Sequence, residues 1–166
     1  MNMIFSHSTR NAVADRLRRF FFGGAPARVQ AAALPWRESG SGIEIMLITS
    51  RGTGRWVLPK GWPEGQELLS QTALREAAEE AGLDGKIAPH EAGCYFYGKV
   101  LPSGLARRYE VHVFPLKVGR VAEKWPEKKK RKRRWVSPRE AATLVEEADL
   151  RELIAAFSDS PRNYAA

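Results

Sequence analysis

Short blocks of apolar residues recur between residues 28 and 118, and several of them are bounded by turn-forming residues. Blocks of this kind that are rich in β-branched and aromatic residues are typical of β-strands. Glycine and serine fill the stretch between the first two blocks, and Pro102 and Gly104 lie between the last two. The pattern predicts five strands, at Val29–Leu34, Ile43–Thr49, Arg55–Leu58, Gly93–Val100 and Tyr109–Val118.

Two segments instead favour helices. Ser70–Ala81 is rich in good helix formers, with Ser70 placed to cap its start and Gly82 placed to end it. A second helix is predicted to begin after Ser137, which is followed by proline and, three residues on, by glutamate. We expect this helix to run to about residue 147 and residues 150–157 to form a further turn or two.

The order of these elements predicts an α/β (α+β) fold, in which helices pack on a mixed sheet. Residues 28–157 would form this domain, after a basic arm of residues 1–27 and before a tail of residues 158–166. Within the arm, Ala12–Phe22 is expected to form a short basic helix ended by glycines. We expect its phenylalanines to dock on the domain; contact with a membrane surface is the alternative.

Composition fits this picture of a single soluble domain. The chain has 166 residues, of which 43% are hydrophobic and 28% charged. No apolar run is long enough to span a bilayer. A single cysteine, Cys94, excludes an internal disulfide framework and fits a reducing compartment, so we expect a cytoplasmic location.

The net charge of +8 is concentrated in one part of the sequence. Residues 120–134 contain nine basic and two acidic residues, whereas residues 29–119 contain ten of each. Such a patch suggests a polyanionic partner, which could be a phosphate-rich small molecule, a nucleic acid or a membrane surface. Within the run 128–134, we expect Lys128–Lys130 to form a solvated face and the last members to lie in a strand before Trp135.

Three glutamates in the first predicted helix carry the strongest chemical signal. Glu76, Glu79 and Glu80 have helical spacing that places them on one face, with Arg75 as the only basic residue of the segment. Their mutual repulsion would be relieved by a divalent cation, and Mg²⁺ prefers carboxylate oxygens. An ordinary acidic helix face is the alternative that the triplet alone leaves open.

The spacing around this triplet resembles the Nudix box. Gly61, five residues, Glu67, seven residues and then the run Arg75–Leu83 match each fixed position of that motif. The resemblance implies a Nudix fold, a mixed β-sheet sandwiched between helices. It also implies hydrolysis of a diphosphate that is linked to another group, with Mg²⁺ or Mn²⁺ as cofactor.

The resemblance also implies roles for these residues. Glu76 and Glu80 would be the main metal ligands, near the backbone carbonyl of Gly61, and Glu79 would contact the metal or activate water. Arg75 would orient the glutamates with Glu67 as its partner. Five residues would then make up the catalytic centre: Glu67, Arg75, Glu76, Glu79 and Glu80.

Flanking residues resemble one branch of that family, the diphosphoinositol polyphosphate phosphohydrolases, which also handle diadenosine polyphosphates. The similarity lies in residues 49–62 and 123–136, where Lys60 and Trp62 occupy places that are glycine in many relatives. In this branch, basic residues surround the substrate phosphates. By match, the candidates here are Ser50, Arg51, Lys60, Arg108, Arg133 and Arg134.

Two further functions compete with hydrolysis of these two substrate classes. One is hydrolysis of other nucleoside diphosphate derivatives, including RNA 5′-pyrophosphate. The other is a module without activity that binds nucleic acid or anionic lipid through its basic run. The glutamates argue against a pure binder, because such a module has no need of three carboxylates facing an anion.

Overall fold

The computed structural model describes residues 27–100, 102–104, 106–159 and 161. The helix expected at Ala12–Phe22 lies outside this part of the chain. No helix of the described residues is long and apolar enough to cross a membrane. In chain order the elements are β1 (Arg28–Ser39), β2 (Gly42–Thr49), β3 (Trp56–Val57), β4 (Lys60–Gly61), α1 (Leu69–Ala81), β5 (Leu83–Ile87), β6 (Gly93–Val100), β7 (Ala106–Val121), β8 (Arg133–Val136), α2 (Pro138–Leu144) and α3 (Ala148–Asp159).

The described strands form one mixed sheet, as predicted. Its main path runs β3-β2-β1-β7-β5, and β4, β6 and β8 pair with β1, β7 and β2 respectively. β1 pairs in parallel with β7 from Arg28, opposite Tyr109, to Trp36, opposite Lys117. Its other pairings, with β2 and β4, are antiparallel.

Helices cover both faces of the sheet. Successive residues of a strand point to opposite faces, so β1 contributes Ala31 and Ala33 to one core and Ala32 and Leu34 to the other. The first core contains Ala73, Ala77 and Ala81 of α1, and the second contains the apolar residues of α2 and α3. Burial on both faces explains why β1 appears in the sequence as an unbroken apolar run.

All five predicted strands are present, but β4 and β5 were not predicted. β4 has only two residues, and β5 carries the polar residues Asp84 and Lys86 among its five. Pairing creates both strands: β4 is held against β1, and β5 against β7. At Gly85 a Cβ atom would lie 2.1 Å from the Lys117 carbonyl oxygen, so close strand contact requires glycine there.

Two of the three helix-capping residues predicted from the sequence are confirmed. Gly82 ends α1 in the left-handed conformation (φ 66°), and the Ser137 hydroxyl accepts a hydrogen bond from the Glu140 N–H at the start of α2. The prediction that Ser70 caps α1 was wrong. The helix begins one residue earlier, and the Leu68 N–H donates to the side chain of Gln71 instead.

The second predicted helix stops three residues early. α2 ends at Leu144, and α3 begins after a short connection and continues to Asp159. The break at residues 145–147 allows Val145 and Leu150 to enter the core together.

Candidate active site

Gly61 lies directly against the carboxylate of Glu76. β4 holds Gly61 opposite Ala31, near the start of β1, and α1 packs against both strands. A Cβ atom on residue 61 would lie 2.1 Å from Glu76 Oε1 and 2.6 Å from Oε2. These distances are far below van der Waals contact, so a side chain at position 61 would displace this carboxylate from its place.

Arg75 connects both parts of the predicted box. Its Nε and Nη2 donate to the two Glu67 carboxylate oxygens at 3.2 Å, and Nη1 donates to Glu76 Oε1 at 2.9 Å. Nη2 also donates to the Trp62 carbonyl oxygen at 2.8 Å, and Glu79 Oε2 lies 3.5 Å from Nη1. The hydrogen bond from Arg75 lowers the pKa of Glu67. These contacts fit the expected role of Arg75 in orienting the glutamates.

Glu80 is the most buried of the three glutamates, with 8% of its surface exposed. Its Oε2 accepts a hydrogen bond from the Lys60 N–H at 3.0 Å, and its Oε1 forms an ion pair with Arg131. Burial raises the pKa of the Glu80 carboxyl to about 7, and Arg131 and the Lys60 N–H oppose this shift. Burial also raises the pKa of Glu76, against the influence of Arg75.

Glu79 differs from its two neighbours because its side chain is about half exposed, at 48%. Its carbonyl oxygen accepts a hydrogen bond from the Glu127 N–H at 3.2 Å. The accessible carboxylate makes Glu79 the member of the triplet that water can reach most readily.

The loop between β7 and β8 folds back onto the C-terminal end of α1. Trp125 Nε1 donates to the Glu80 carbonyl oxygen at 3.1 Å. Arg131 Nη1 donates to the Thr49 carbonyl oxygen at 3.0 Å, and Arg131 Nε lies 2.5 Å from Glu127 Oε2. This arrangement buries the Arg131 side chain to 7% exposure.

Arg131 and Glu127 are site residues that the sequence reasoning missed. A run of seven cations does not indicate which member turns inward, and Glu127 lies far from the box in sequence. The spacing of four between Glu127 and Arg131, which suits an ion pair in one turn of chain, was the available signal.

Arg133 contacts backbone carbonyl groups and an aromatic ring of the protein itself. Its guanidinium donates to the Ala81 and Ala122 carbonyl oxygens at 2.7 and 2.8 Å and lies 3.8 Å from the Trp125 ring centroid. Arg134, the next residue of β8, points to the other face and donates to Glu140 Oε1 at 2.6 Å. Arg133 therefore satisfies carbonyl groups at the end of α1, while Arg134 lies beside α2.

The remaining predicted phosphate ligands lie on several elements. The exposed Arg51, just after β2, has Nη1 at 3.4 Å from Glu127 Oε1, and the Ser50 hydroxyl accepts a hydrogen bond from the Arg55 N–H. Burial lowers the pKa of the Lys60 ammonium, against the influence of Glu80. Arg108 of β7 lies over the Phe96 ring at 4.1 Å.

The three lysines expected to be solvated, Lys128–Lys130, are exposed. Lys128 Nζ donates to the Glu123 carbonyl oxygen at 2.6 Å, which holds the turn together. The basic run is thus divided between exposed lysines and the inward-facing Arg131 and Arg133.

The glutamates suit a divalent cation by their chemistry. Glu76 and Glu80 are carboxylates whose charged form is disfavoured by burial, so a cation beside them would stabilise it. Within the described ranges, no three acidic, histidine or cysteine side chains converge around one point as a closed metal cage would require. Arg75 and Arg131 contact Glu76 and Glu80 there. Glu76 and Glu80 are therefore candidate ligands by the chemistry of their carboxylates.

Comparison with known proteins agrees with this fold and motif. A model of the NUDIX domain matches residues 26–157 of the chain. Nudix hydrolase 21, chloroplastic, from Arabidopsis thaliana is 34% identical over 143 residues, which cover 85% of this chain and 70% of the relative. The chain belongs to the NUDIX family and is a Nudix hydrolase.

Two further similarities concern proteins with named substrates. Diphosphoinositol polyphosphate phosphohydrolase 3-alpha from Mus musculus is 29% identical over 122 residues, which cover 70% of this chain and 68% of the relative. The structure of a binary complex of C. elegans Ap4A hydrolase has a TM-score of 0.63 and is 21% identical in sequence. The match covers 83% of this chain and 100% of the hydrolase chain. This structural likeness supports the fold alone. Similar proteins include some named chloroplastic or mitochondrial, and the cytoplasmic location stays a prediction.

Proposed function

We propose that this Nudix hydrolase cleaves a phosphoanhydride bond in dinucleoside polyphosphates or diphosphoinositol polyphosphates, with Mg²⁺ or Mn²⁺ as cofactor. The observation that carries the proposal is the position of three glutamates between a glycine and a set of cations. Gly61 lies against Glu76, while the Arg131 guanidinium and the Lys60 backbone N–H contact Glu80. The Lys60 ammonium is close enough to Glu80 for their charges to interact. This arrangement can bind metal on the acids and phosphate on the cations.

Each glutamate has a distinct task in this proposal. Glu76 and Glu80 would hold the cation, with the Gly61 carbonyl nearby, and Arg75 would keep Glu76 oriented through its 2.9 Å hydrogen bond. A bound divalent cation neutralises phosphate charge and lowers the pKa of coordinated water. Glu79, the most accessible of the three, would accept the proton of the attacking water.

Cations on three elements would hold the phosphates that flank the cleaved bond. Lys60 directly precedes the box glycine and its backbone N–H bonds to Glu80 Oε2, while Arg131 forms an ion pair with Glu80 Oε1. Arg51 and Ser50 lie on the loop after β2, beside Glu127. Arg108 and Arg134 are further candidates, whereas the contacts of Arg133 favour a role in stabilising the fold.

RNA 5′-pyrophosphate and other nucleoside diphosphate derivatives are the second candidate substrate class. The exposed Lys128–Lys130 support this alternative, because they could meet a long polyanion outside the site. A binding module without activity would have to place its anion beside Glu76, Glu79 and Glu80, where repulsion opposes it.

A Glu79→Gln variant tests the catalytic proposal. Loss of the proton acceptor should reduce kcat by about two to four orders of magnitude, while the thermal unfolding temperature changes little. Glu123→Gln on the exposed loop is the matched control and should keep normal turnover. Near-normal kcat in the Glu79→Gln variant would contradict the assignment.

Substrate and products should be separated by ion-exchange chromatography after incubation with Mg²⁺ or Mn²⁺, for diphosphoinositol polyphosphates, dinucleoside polyphosphates and 5′-triphosphorylated RNA. We expect turnover of at least one of the first two classes and its loss when the cation is chelated. Turnover of RNA alone would establish the second candidate. Absence of turnover together with tight, salt-sensitive RNA binding would establish a binding module.

A further inference from the structure

Three aromatic rings form a continuous row next to the box glycine. Tyr97 of β6 and Tyr109 of β7 are paired across their strands and stack, with ring centroids 4.9 Å apart and planes at 17°. Trp62, the residue after Gly61, lies 5.7 Å from Tyr109 in a tilted arrangement. We refer to Trp62, Tyr109 and Tyr97 as the aromatic row.

A cationic side chain lies at each end of the aromatic row. The Arg28 guanidinium lies 4.7 Å from the Trp62 ring centroid, and Lys60 Nζ lies 5.3 Å from the Tyr97 ring centroid. Because the Lys60 N–H is hydrogen-bonded to Glu80, the Tyr97 end of the row adjoins the candidate catalytic acids. Lys60 thus lies between the Tyr97 ring and Glu80.

The row offers a rigid surface that is partly open to a ligand. Trp62 is a large apolar residue with 39% of its surface exposed, and Tyr109 lies buried behind it. Arg75 holds the Trp62 carbonyl oxygen at 2.8 Å, and the Tyr97 hydroxyl donates to Gln30 Oε1 at 2.7 Å. Burial raises the pKa of Tyr97 to about 12, so its ring stays a neutral phenol at physiological pH.

A ligand that fits these features carries both a flat π-system and phosphates. A nucleobase stacks on aromatic side chains, whereas an inositol ring has no π-face to present. An exposed cation–π pair is weak, so a base can replace the Arg28 guanidinium on the indole and leave that cation for the phosphates. Lys60, between the row and Glu80, is then placed beside the phosphates that reach the acids.

We propose that the aromatic row binds the nucleobase of the substrate, which gives this hydrolase a preference for nucleoside polyphosphates over diphosphoinositol polyphosphates. The inference rests on the proposed phosphoanhydride hydrolysis and specifies its substrate class. Trp62 is the specificity-determining residue, because it is the most exposed ring of the row.

Two variants of Trp62 separate stacking from packing. Trp62→Leu keeps an apolar side chain but removes the π-face, and Trp62→Phe keeps a smaller aromatic ring. For a diadenosine polyphosphate, Trp62→Leu should lower kcat/KM by about tenfold or more, and Trp62→Phe should retain most of it. For a diphosphoinositol polyphosphate, both variants should change kcat/KM by less than about twofold.

Trp135→Leu is the matched control, because that indole also lies under a guanidinium, that of Arg37 at 4.1 Å, but belongs to β8. It should leave the ratio of kcat/KM for the two substrates unchanged. If Trp62→Leu lowers kcat/KM equally for both substrates, Trp62 only supports the fold of the site and the inference is overturned.

Binding of AMP and ribose 5-phosphate, measured by calorimetry without divalent cation, tests the row apart from turnover. The unaltered chain should bind AMP at least about tenfold more tightly than ribose 5-phosphate. Trp62→Leu should bind the two ligands with similar affinity. Equal affinities for the unaltered chain would contradict the inference. Turnover of diphosphoinositol polyphosphates alone would leave the hydrolase proposal standing and overturn the base site. Preferential AMP binding by a chain that hydrolyses neither substrate would uphold the base site and refute the hydrolase proposal.

Discussion

At the scale of single residues, the candidate site places charged groups where their solvation is poor. Glu80 has lost most of its contact with water, and its carboxylate depends on Arg131 and the Lys60 N–H for stabilisation. Glu76 is in a similar position beside Gly61. Such groups gain more from a bound cation than exposed carboxylates do, because less solvation is lost when the cation binds.

Glu80 makes the stability of the metal-free protein depend on pH. Its pKa is raised from 4.5 to about 7 in the folded state, so the folded chain binds more protons than the unfolded chain between these values. The free energy of unfolding should therefore fall as pH rises from about 5 to about 7, by about 2 kcal/mol. Urea unfolding at several pH values in the presence of a chelator would measure this change in the free energy of unfolding.

A Glu80→Gln variant provides the control for this pH dependence. The glutamine oxygen can still accept the Lys60 N–H, but the titrating group is gone. Its free energy of unfolding should vary less between pH 5 and pH 7 than that of the unaltered chain. Parallel curves for the two proteins would show that other groups cause the dependence.

Gly61 gives a test of the close contact in the box. In Gly61→Ala the new methyl group would displace the Glu76 carboxylate, and kcat/KM should fall by about 100-fold. Gly52→Ala is the matched control, because a Cβ atom at Gly52 would have no neighbour within 4 Å. A Gly61→Ala variant with normal kcat/KM would mean that Glu76 can work from another position.

At the scale of elements, the site depends on how the loop after β7 is fastened to α1. Trp125, Glu127 and Arg133 each bond to a carbonyl oxygen near the end of that helix. These carbonyl groups would otherwise lack partners within the helix. The loop thus caps α1 and delivers Arg131 to Glu80 at the same time.

Replacing Arg133 tests this capping role. Arg133→Gln should lower the free energy of unfolding by about 2 kcal/mol, because two charge-assisted hydrogen bonds and the stacking on Trp125 are lost. Arg134→Gln, which removes one exposed ion pair, should change it by less than about 1 kcal/mol. If Arg133→Gln were as stable as the Arg134 variant but raised KM, Arg133 would be a phosphate ligand after all.

Local sequence signals predicted the elements whose formation depends mainly on interactions within the element. The helix formers before Gly82 and the apolar block of β1 predicted α1 and the centre of the sheet. β4 and β5 were missed because they are stabilised by pairing with distant strands. The motif spacing found the glutamates and Arg75, whereas the inward position of Arg131 depends on Thr49 and Glu127, which sequence spacing alone does not bring together.

At the scale of the whole molecule, the positive charge is divided between two environments. Lys128–Lys130 lie in solvent, while Lys60 and Arg131 lie beside the acids. Cations next to the acids can bond substrate phosphates directly, whereas solvated lysines act only through the screened field around them.

Replacing Lys129 and Lys130 together by alanine should change KM for the hydrolysed substrate by less than about twofold, because these side chains are exposed to solvent. Lys60→Met, whose backbone N–H can still bond Glu80, should raise KM by about tenfold through loss of a charge-assisted contact. Initial rates at constant ionic strength would give KM for both variants. A larger rise of KM in this double variant would place the substrate over the exposed turn.

The parallel pairing of β1 with β7 has a consequence for how the protein folds. It joins Arg28 to Tyr109, so folding must close a loop of roughly 80 residues before the middle of the sheet exists. Gly61 and α1 lie within that loop, while Arg131 and Glu127 lie beyond it. A chain emerging from the ribosome therefore has no complete hydrolytic centre until β7 and β8 are in place, and recovery of turnover would report a late step of refolding.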